Sequence, residues 1–244
     1  MVALVAFPLW GSPTADAAIY LGSTRLIMDG KDKDATIKVV NDGEGPVLLQ
    51  VWIDTGDSEA SPEKISTPFT VATPILRLES KRSQRLRVLY TGSDALVPSD
   101  RESAFWLNVL EVPPKAKDFA TTNHMQMAFR TRIKLFYRPQ SLPTISATPH
   151  DQLRFSAASE RGDLILSVTN PTPIHQTLLQ LSVGKDKNHP IATTIPDDGM
   201  LKPFGSDRFI LGNVKGSFDP GMKIFFSVID DFGTVIDSEQ PLTR

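Results

Sequence analysis

Histidines and paired carboxylates are the side chains of this chain that could hold a metal ion or perform acid–base chemistry. No two of the four histidines are four residues apart, the spacing that presents two ligands on one helix face. We therefore predict that all four are surface residues: His124, His150, His175 and His189. The acidic pairs Asp197-Asp198 and Asp230-Asp231 lie in turn sequences, where aspartate bonds its own backbone, so a turn is favoured over a calcium site.

Common catalytic and cofactor-binding motifs are missing from the sequence. It has no Gly-x-Ser-x-Gly elbow, no Walker-type glycine loop and no Gly-x-Gly-x-x-Gly. It has no cysteine, which excludes disulfides and thiolate metal sites. With 26 basic and 28 acidic residues the net charge is −2, which argues against nucleic-acid binding. We predict a binding protein rather than an enzyme, with no metal and no cofactor.

The stretch Asn123–Pro139 alternates apolar and polar side chains and is typical of one long β-strand. Its apolar face contains Met125, Met127, Phe129, Thr131, Ile133 and Leu135, and its polar face contains Gln126, Ala128, Arg130, Arg132 and Lys134. Two interpretations are open, an ordinary half-buried strand or a strand offered to a partner. Roughly eleven alternating residues are about twice a typical strand, which favours the second.

The rest of the chain consists of short β-strands separated by turns such as Asp29-Gly30 and Asp219-Pro220-Gly221. A length of 244 residues suits two sandwiches of about 100–120 residues each. We therefore predict an all-β protein with two β-sandwich domains, 18–139 and 144–244, and a hinge at 140–143.

Predicted strands recur at regular spacing in both halves. Those of the first half, before the long strand, are Ile19–Met28, Thr36–Asn41, Val47–Asp54, Ile75–Leu78, Arg85–Tyr90 and Phe105–Val112. Those of the second half are Leu164–Thr169, Thr177–Val183, Ile191–Ile195, Arg208–Leu211, Ile224–Ile229 and Thr234–Asp237.

The N-terminus has the pattern of a secretory signal peptide. Met1–Trp10 is almost wholly apolar, and Ala15-Asp16-Ala17 is the small-x-small pattern that precedes cleavage, here before Ala18. The segment lacks an initial Lys or Arg, which suggests that a few upstream residues are missing. The run is too short to span a bilayer, which needs about 20 apolar residues. We predict that residues 1–17 are removed on export and that the protein has no membrane anchor.

Several motifs together resemble the PapD-like periplasmic chaperones of the chaperone/usher pilus pathway. They cover nearly all of the chain after residue 17 and occur in that family's order: Ser23–Ile27, Val51–Ile53, Ala72–Pro74, Asp100–Ser103, Glu111–Pro114, Ile133–Pro139, Asn170–Pro173 and Ile229–Gly233. The resemblance implies two immunoglobulin-like domains set as an L. It also implies a periplasmic chaperone that binds, folds and caps pilus subunits and delivers them to an outer-membrane usher.

Matched position by position, the resemblance assigns Arg25 and Lys134 as two cations that anchor the C-terminal carboxylate of a subunit, with Thr24 assisting. Met125, Met127 and Phe129 then correspond to the apolar residues donated into a groove of the subunit. The family uses branched aliphatic residues there, and flexible methionine suggests tolerance of several groove shapes.

Glu102, Arg138 and Asp231 match the family's buried ion network between the two domains. The short loop 115–122 resembles the short-loop branch of the family, which serves rod-like pili.

The implied partners are pilus subunits and the usher, and the free form could pair with itself to cover its edge strand. The alternative is a secreted two-domain adhesin, which gives no reason for Arg25 and Lys134 to meet in a cleft.

Overall fold

The computed structural model describes residues 19–92, 97–112, 127–160, 162–213 and 221–242. Several sequence predictions therefore fall wholly or partly outside the described residues, among them the signal segment 1–17, the loop 115–122, His124, Met125 and Gln126. No helix in the described ranges is long and apolar enough to cross a membrane.

The first half of the chain is a β-sandwich of two sheets. One sheet has the order β1-β3-β7-β5 and the other the order β2-β9-β8-β4-β6. Their strands are β1 (Ile19–Leu21), β2 (Arg25–Asp29), β3 (Asp34–Asn41), β4 (Val47–Asp54), β5 (Phe69–Val71), β6 (Ile75–Leu78), β7 (Ser83–Tyr90), β8 (Ser103–Val112) and β9 (Arg130–Arg138). Inward residues of both sheets, including Val39, Leu49, Val88, Leu107 and Leu135, form one fully buried core.

The second half forms a separate β-sandwich with its own core, which includes Leu166, Leu181 and Ile224. Its sheets have the orders β10-β11-β15 and β13-β12-β16-β17, and β14 pairs with β12. The strands are β10 (Arg154–Glu160), β11 (Asp163–Thr169), β12 (Gln176–Gly184), β13 (Ala192–Thr194), β14 (Met200–Leu201), β15 (Ser206–Asn213), β16 (Lys223–Ile229) and β17 (Val235–Pro241). Two short 3-10 helices, Pro62–Lys64 and Pro149–Gln152, complete the regular structure of the described residues. The all-β, two-sandwich architecture is confirmed.

The predicted strand Ile19–Met28 is wrong as a single element, because it splits into β1 and β2. β1 pairs antiparallel with β3, whereas β2 pairs parallel with β9 in the other sheet. The break lies at Gly22–Thr24, where the Ser23 hydroxyl donates to the Arg25 carbonyl at 2.7 Å. Such a local side-chain bond competes with the sheet ladder. The switch places Arg25 beside β9.

The long strand begins later than the sequence predicts. β9 starts at Arg130, and 127–129 have no regular secondary structure, although the Glu111 amide donates to the Phe129 carbonyl at 2.8 Å. β8 pairs with residues 130–137 of β9, whereas β2 pairs only with 134–138. Among the described residues, the β2-side edge of 130–133 therefore has no strand partner.

Candidate functional site

Arg25 and Lys134 lie side by side at the junction of the two sandwiches. They are Cα partners in the parallel β2–β9 pair, so their side chains leave the same face of the sheet. Arg25 is buried, with 8 % of its surface exposed, and Lys134 is half-buried. The Arg25 Nη1 donates to the carbonyl of Ile229, at the end of β16, at 3.2 Å. Both sandwiches therefore help to position this cation pair.

The cation pair is short of negative charge. Burial lowers the pKa of Arg25 and outweighs the opposing effects of Asp231, Asp230 and Glu102. Burial also lowers the pKa of Lys134, more than the charge of Asp198 raises it. The Arg25 Nε is buried without a hydrogen-bond acceptor. A buried polar donor left unpaired is costly, so this arrangement favours an added anion that accepts hydrogen bonds from both cations.

A second charged cluster joins the sandwiches a few residues away. The Arg138 Nε lies 2.7 Å from the Glu102 Oε2, and its two terminal nitrogens contact the Asp231 carboxylate at 2.6 and 2.7 Å. Burial by itself lowers the pKa of Arg138, but the bonds and charges of Asp231 and Glu102 outweigh it and raise the pKa. Unlike Arg25 and Lys134, Arg138 thus forms ion pairs with two carboxylates.

His175 belongs to the same cluster, so its prediction as a surface residue is wrong. Its backbone amide and its Nδ1 contact the Glu102 Oε1 at 2.9 and 2.8 Å, and its ring lies 5.3 Å from the Phe136 ring. His150 is also buried, whereas His189 is exposed. Sequence spacing cannot reveal burial that arises where two sandwiches meet. His175 does follow the Asn170–Pro173 motif, and this is the only sequence signal for its position.

The turn between β16 and β17 packs directly against Thr24. A Cβ atom on Gly233 would lie 2.6 Å from the Thr24 Oγ1, and Gly233 has φ +85°, so only glycine fits. Asp230 accepts from the amides of Phe232 and Thr234 at 2.9 and 2.7 Å. Its carboxylate is thus used in the turn. Within the described residues, no group of three or more metal-ligating side chains occurs.

The apolar residues predicted for donation are exposed where they are described. Met127 and Phe129 are 54 % and 44 % exposed, although both are large and apolar. Farther along the strand, on the same predicted face, Ile133 and Leu135 are buried in the core of the first sandwich. The apolar stripe therefore passes from an exposed end to a buried one.

An ion pair on the outer face of β9 was not anticipated from the sequence. The carboxylate of buried Asp54 accepts two hydrogen bonds from the Arg132 guanidinium, at 2.6 and 3.0 Å. It accepts a third from the Asn108 side-chain amide at 2.7 Å. The Arg132 guanidinium also lies 4.7 Å from the Trp106 ring. Arg132 thus has a carboxylate partner, whereas Lys134 forms no ion pair within the ranges that the structure describes, which separates two cations that the sequence pattern treats alike.

Comparison with known proteins identifies the family of this chain. The family model for the pili and flagellar-assembly chaperone PapD N-terminal domain matches residues 18–143, and the model for the PapD C-terminal domain matches residues 148–240. The probable fimbrial chaperone YadV of Escherichia coli is 38 % identical over 95 % of this chain and 92 % of its own. The chaperone protein FimB/FhaD of Bordetella pertussis is 38 % identical over 92 % and 88 %.

Solved structures agree with these relatives. The crystal structure of the YadV chaperone covers 93 % of this chain and 100 % of its own with a TM-score of 0.74 at 33 % identity. The Salmonella enterica SafB chaperone, solved in complex with the SafA pilin, covers 94 % and 98 % with a TM-score of 0.71 at 30 % identity. Matching domains in order, similar relatives and a shared fold together show that this chain belongs to the PapD family of pilus-assembly chaperones.

Proposed function

We propose that this protein is a periplasmic chaperone that binds and caps pilus subunits by donor-strand complementation and delivers them to an outer-membrane usher. The observation that carries the proposal is the juxtaposition of Arg25 and Lys134, two cations that form no ion pair with a carboxylate of the described residues. Similarity to the SafB chaperone, solved with the SafA pilin, supports a pilin as the ligand.

In this proposal the cation pair receives the C-terminal carboxylate of the subunit. A carboxylate is small, carries one charge and accepts several hydrogen bonds, which suits two neighbouring side-chain cations. Every protein chain ends in a carboxylate, so the site anchors the end of the subunit without reading an internal sequence. Thr24, directly before Arg25, assists by fixing the turn between β16 and β17.

The open edge of β9 provides the second part of the mechanism. Residues 130–133 have one free edge among the described residues, and the exposed side chains of Met127 and Phe129 lie just beyond them. An edge strand adds to another sheet through backbone hydrogen bonds, and alternate side chains fill pockets of that sheet. A subunit anchored at Lys134 would meet this edge next, so the carboxylate sets the register of the added strand.

Capping follows from the same geometry. An exposed strand edge with large apolar residues is an aggregation hazard. Pairing with a subunit would cover the exposed edge of the chaperone and the groove of the subunit at the same time. In the absence of a subunit the edge is available to a second copy of the chain, so we propose that the free form self-associates there.

Substitution of either cation tests the proposal. Arg25→Ala and Lys134→Ala should each abolish copurification of a coexpressed pilus subunit, since each charge-assisted hydrogen bond is worth about 1.5–3 kcal/mol. Arg85→Ala, which removes an exposed cation of β7 in the other sheet, is the matched control and should leave capture unchanged. Melting temperatures should agree among the variants. Capture at the wild-type level by either cation variant, or unfolding of both, would contradict the carboxylate anchor and favour the adhesin alternative.

Export is a separate part of the proposal. The apolar run and Ala15-Asp16-Ala17 support cleavage before Ala18. N-terminal sequencing of the protein from a periplasmic extract should therefore begin at Ala18. Recovery of a chain that begins at Met1 would remove the periplasmic assignment.

Delivery to an usher requires a surface that remains free while the subunit is held. Leu48 and Ile75 are 42 % and 60 % exposed on β4 and β6, three and four strands from β2 in the same sheet. Leu48 and Val112 also line a shallow groove of about 150 Å³. We propose this apolar patch as the usher contact. Leu48→Glu should retain subunit capture and lose binding of the chaperone–subunit complex to the usher in a pull-down, and retention of both would contradict this contact.

A further inference from the structure

Phe232 is a large aromatic side chain that is 87 % exposed at the tip of the β16–β17 turn. A scattered exposed apolar residue is normal on a protein surface. Two features distinguish this one, the rigidity of its turn and its position beside the cation pair.

Interactions with both sandwiches hold the turn that carries Phe232. Asp231, directly before it, forms a two-bond ion pair with Arg138 of β9. Gly233, directly after it, packs on Thr24 so closely that no Cβ atom would fit. The Phe232 amide itself donates to Asp230 at 2.9 Å. The backbone of Phe232 is thus held on both sides, so the position from which its exposed ring projects is fixed beside the cation pair.

The ring borders a cavity between the two sandwiches. This cavity of about 310 Å³ is lined by both Phe232 and Arg25, and its other apolar walls include Ile145, Ile174 and Ile236. Its volume is at the lower end of the range for ligand pockets, roughly 300 Å³ and above. Glu102, Arg138 and Asp231 also line the cavity, but they are paired with one another, and the Asp230 carboxylate is used in the turn. Arg25 and the apolar walls beside it therefore match a ligand that has a carboxylate at one end and an apolar group next to it.

We propose that Phe232 and this cavity form a subsite for the side chain of the last residue of the bound subunit. This inference rests on the proposed function, in which Arg25 and Lys134 hold the terminal carboxylate. The side chain of that residue leaves the carbon next to the carboxylate, so it lies within one side-chain length of Arg25. The subsite selects an apolar, preferentially aromatic, terminal residue, because the Phe136 and Phe232 rings and the Arg25 guanidinium all line it.

Two synthetic peptides test the subsite. They share one alternating apolar sequence with a free carboxylate and differ only in the last residue, phenylalanine or glycine. We expect wild-type protein to bind the phenylalanine peptide about tenfold more tightly by calorimetry, and Phe232→Ala to remove most of this preference while binding the glycine peptide normally. Ile210→Ala, which shortens an exposed apolar residue on β15, is the control and should keep the preference.

Two results would overturn the subsite. One is an equal affinity of the wild-type protein for both peptides, and the other is a preference that survives Phe232→Ala. An amidated phenylalanine peptide and the Arg25→Ala variant separate this failure from failure of the proposed function. If amidation and Arg25→Ala both weaken binding while Phe232→Ala changes nothing, the subsite alone is wrong. If neither weakens binding, the carboxylate anchor and the subsite fall together.

Discussion

The two halves of the stretch from Met127 to Arg138 differ in how many neighbours they have. From Lys134 onward β9 lies between β2 and β8, and its inward residues reach the core of the first sandwich. Before Lys134 the strand pairs only with β8, and Met127 and Phe129 are exposed. One strand thus belongs to the fold at one end and is open to a partner at the other, because β2 is too short to cover it.

The basic residues of this stretch also differ in how many charged partners they have. Arg138 has two carboxylate partners, and its pKa is raised. Lys134, four residues earlier on the same face, lies beside Arg25, and burial lowers its pKa. Removing one partner of a buried ion pair leaves an uncompensated charge, and a buried cation without a partner is costly until an anion arrives. The difference separates a structural cluster from a binding site at a single domain junction.

The largest expected effect is on the stability of the folded protein, at the end of β9 where Arg138 forms its ion pairs. Arg138→Ala should lower the free energy of unfolding by about 3–5 kcal/mol, because it leaves the buried Glu102 carboxylate without its strongest partner. Urea unfolding followed by circular dichroism measures this loss. Arg208→Ala breaks an ion pair with Glu160 in which both side chains are more than half exposed, and it should cost at most about 1 kcal/mol. Equal losses in the two variants would mean that the cluster does not hold the junction.

The next largest effect is on binding at the open end. Phe129→Glu should weaken subunit capture at least about tenfold, because it buries an unpaired charge in the groove of the subunit. Ala128→Glu, one residue away on the opposite face of the proposed donated strand, should have little effect. Pull-down of a subunit by both variants, each confirmed as folded by circular dichroism, makes the comparison. Equal losses would indicate that the strand is merely structural and would contradict donation.

The smallest expected effect is the pH dependence of subunit binding, which depends on Lys134. The pKa of Lys134 lies below its ordinary value of 10.5, so affinity for a subunit peptide should decline as pH rises through that lowered value. Lys134→Arg should move this decline to higher pH, because arginine keeps its proton. Over the same interval the free protein should become slightly more stable, since the unfolded chain then binds more protons than the folded one. Calorimetric titrations at several pH values measure the decline, and an identical profile for the two proteins would contradict the role of Lys134.

Local patterns in the sequence predicted many of the strands, although β5, β10 and β14 match no predicted strand. The alternation from Thr131 to Leu135 predicts the inward face of β9, and β4 and β6 lie at their predicted bounds, Val47–Asp54 and Ile75–Leu78. These predictions succeed because a two-residue period and turn residues such as Gly and Pro act over a few neighbours. The Arg25 and Lys134 assignments came instead from resemblance to a family, since the local pattern treats the two cations as ordinary polar residues.

Only the tertiary structure decided which of the charged residues have partners. Arg25 lies beside Lys134 because the predicted strand Ile19–Met28 breaks at Ser23 and its second part joins the other sheet. The alternation of apolar and polar residues does not predict that break. Arg132 forms an ion pair with Asp54, while Lys134 forms none with any residue of the described ranges, although the two cations alternate in the same pattern. The side chain of His175 is buried because the second sandwich brings it to Glu102. Each of these three arrangements depends on contacts between residues far apart in the chain. Their burial and their charge partners are set by tertiary packing and not by the neighbouring sequence.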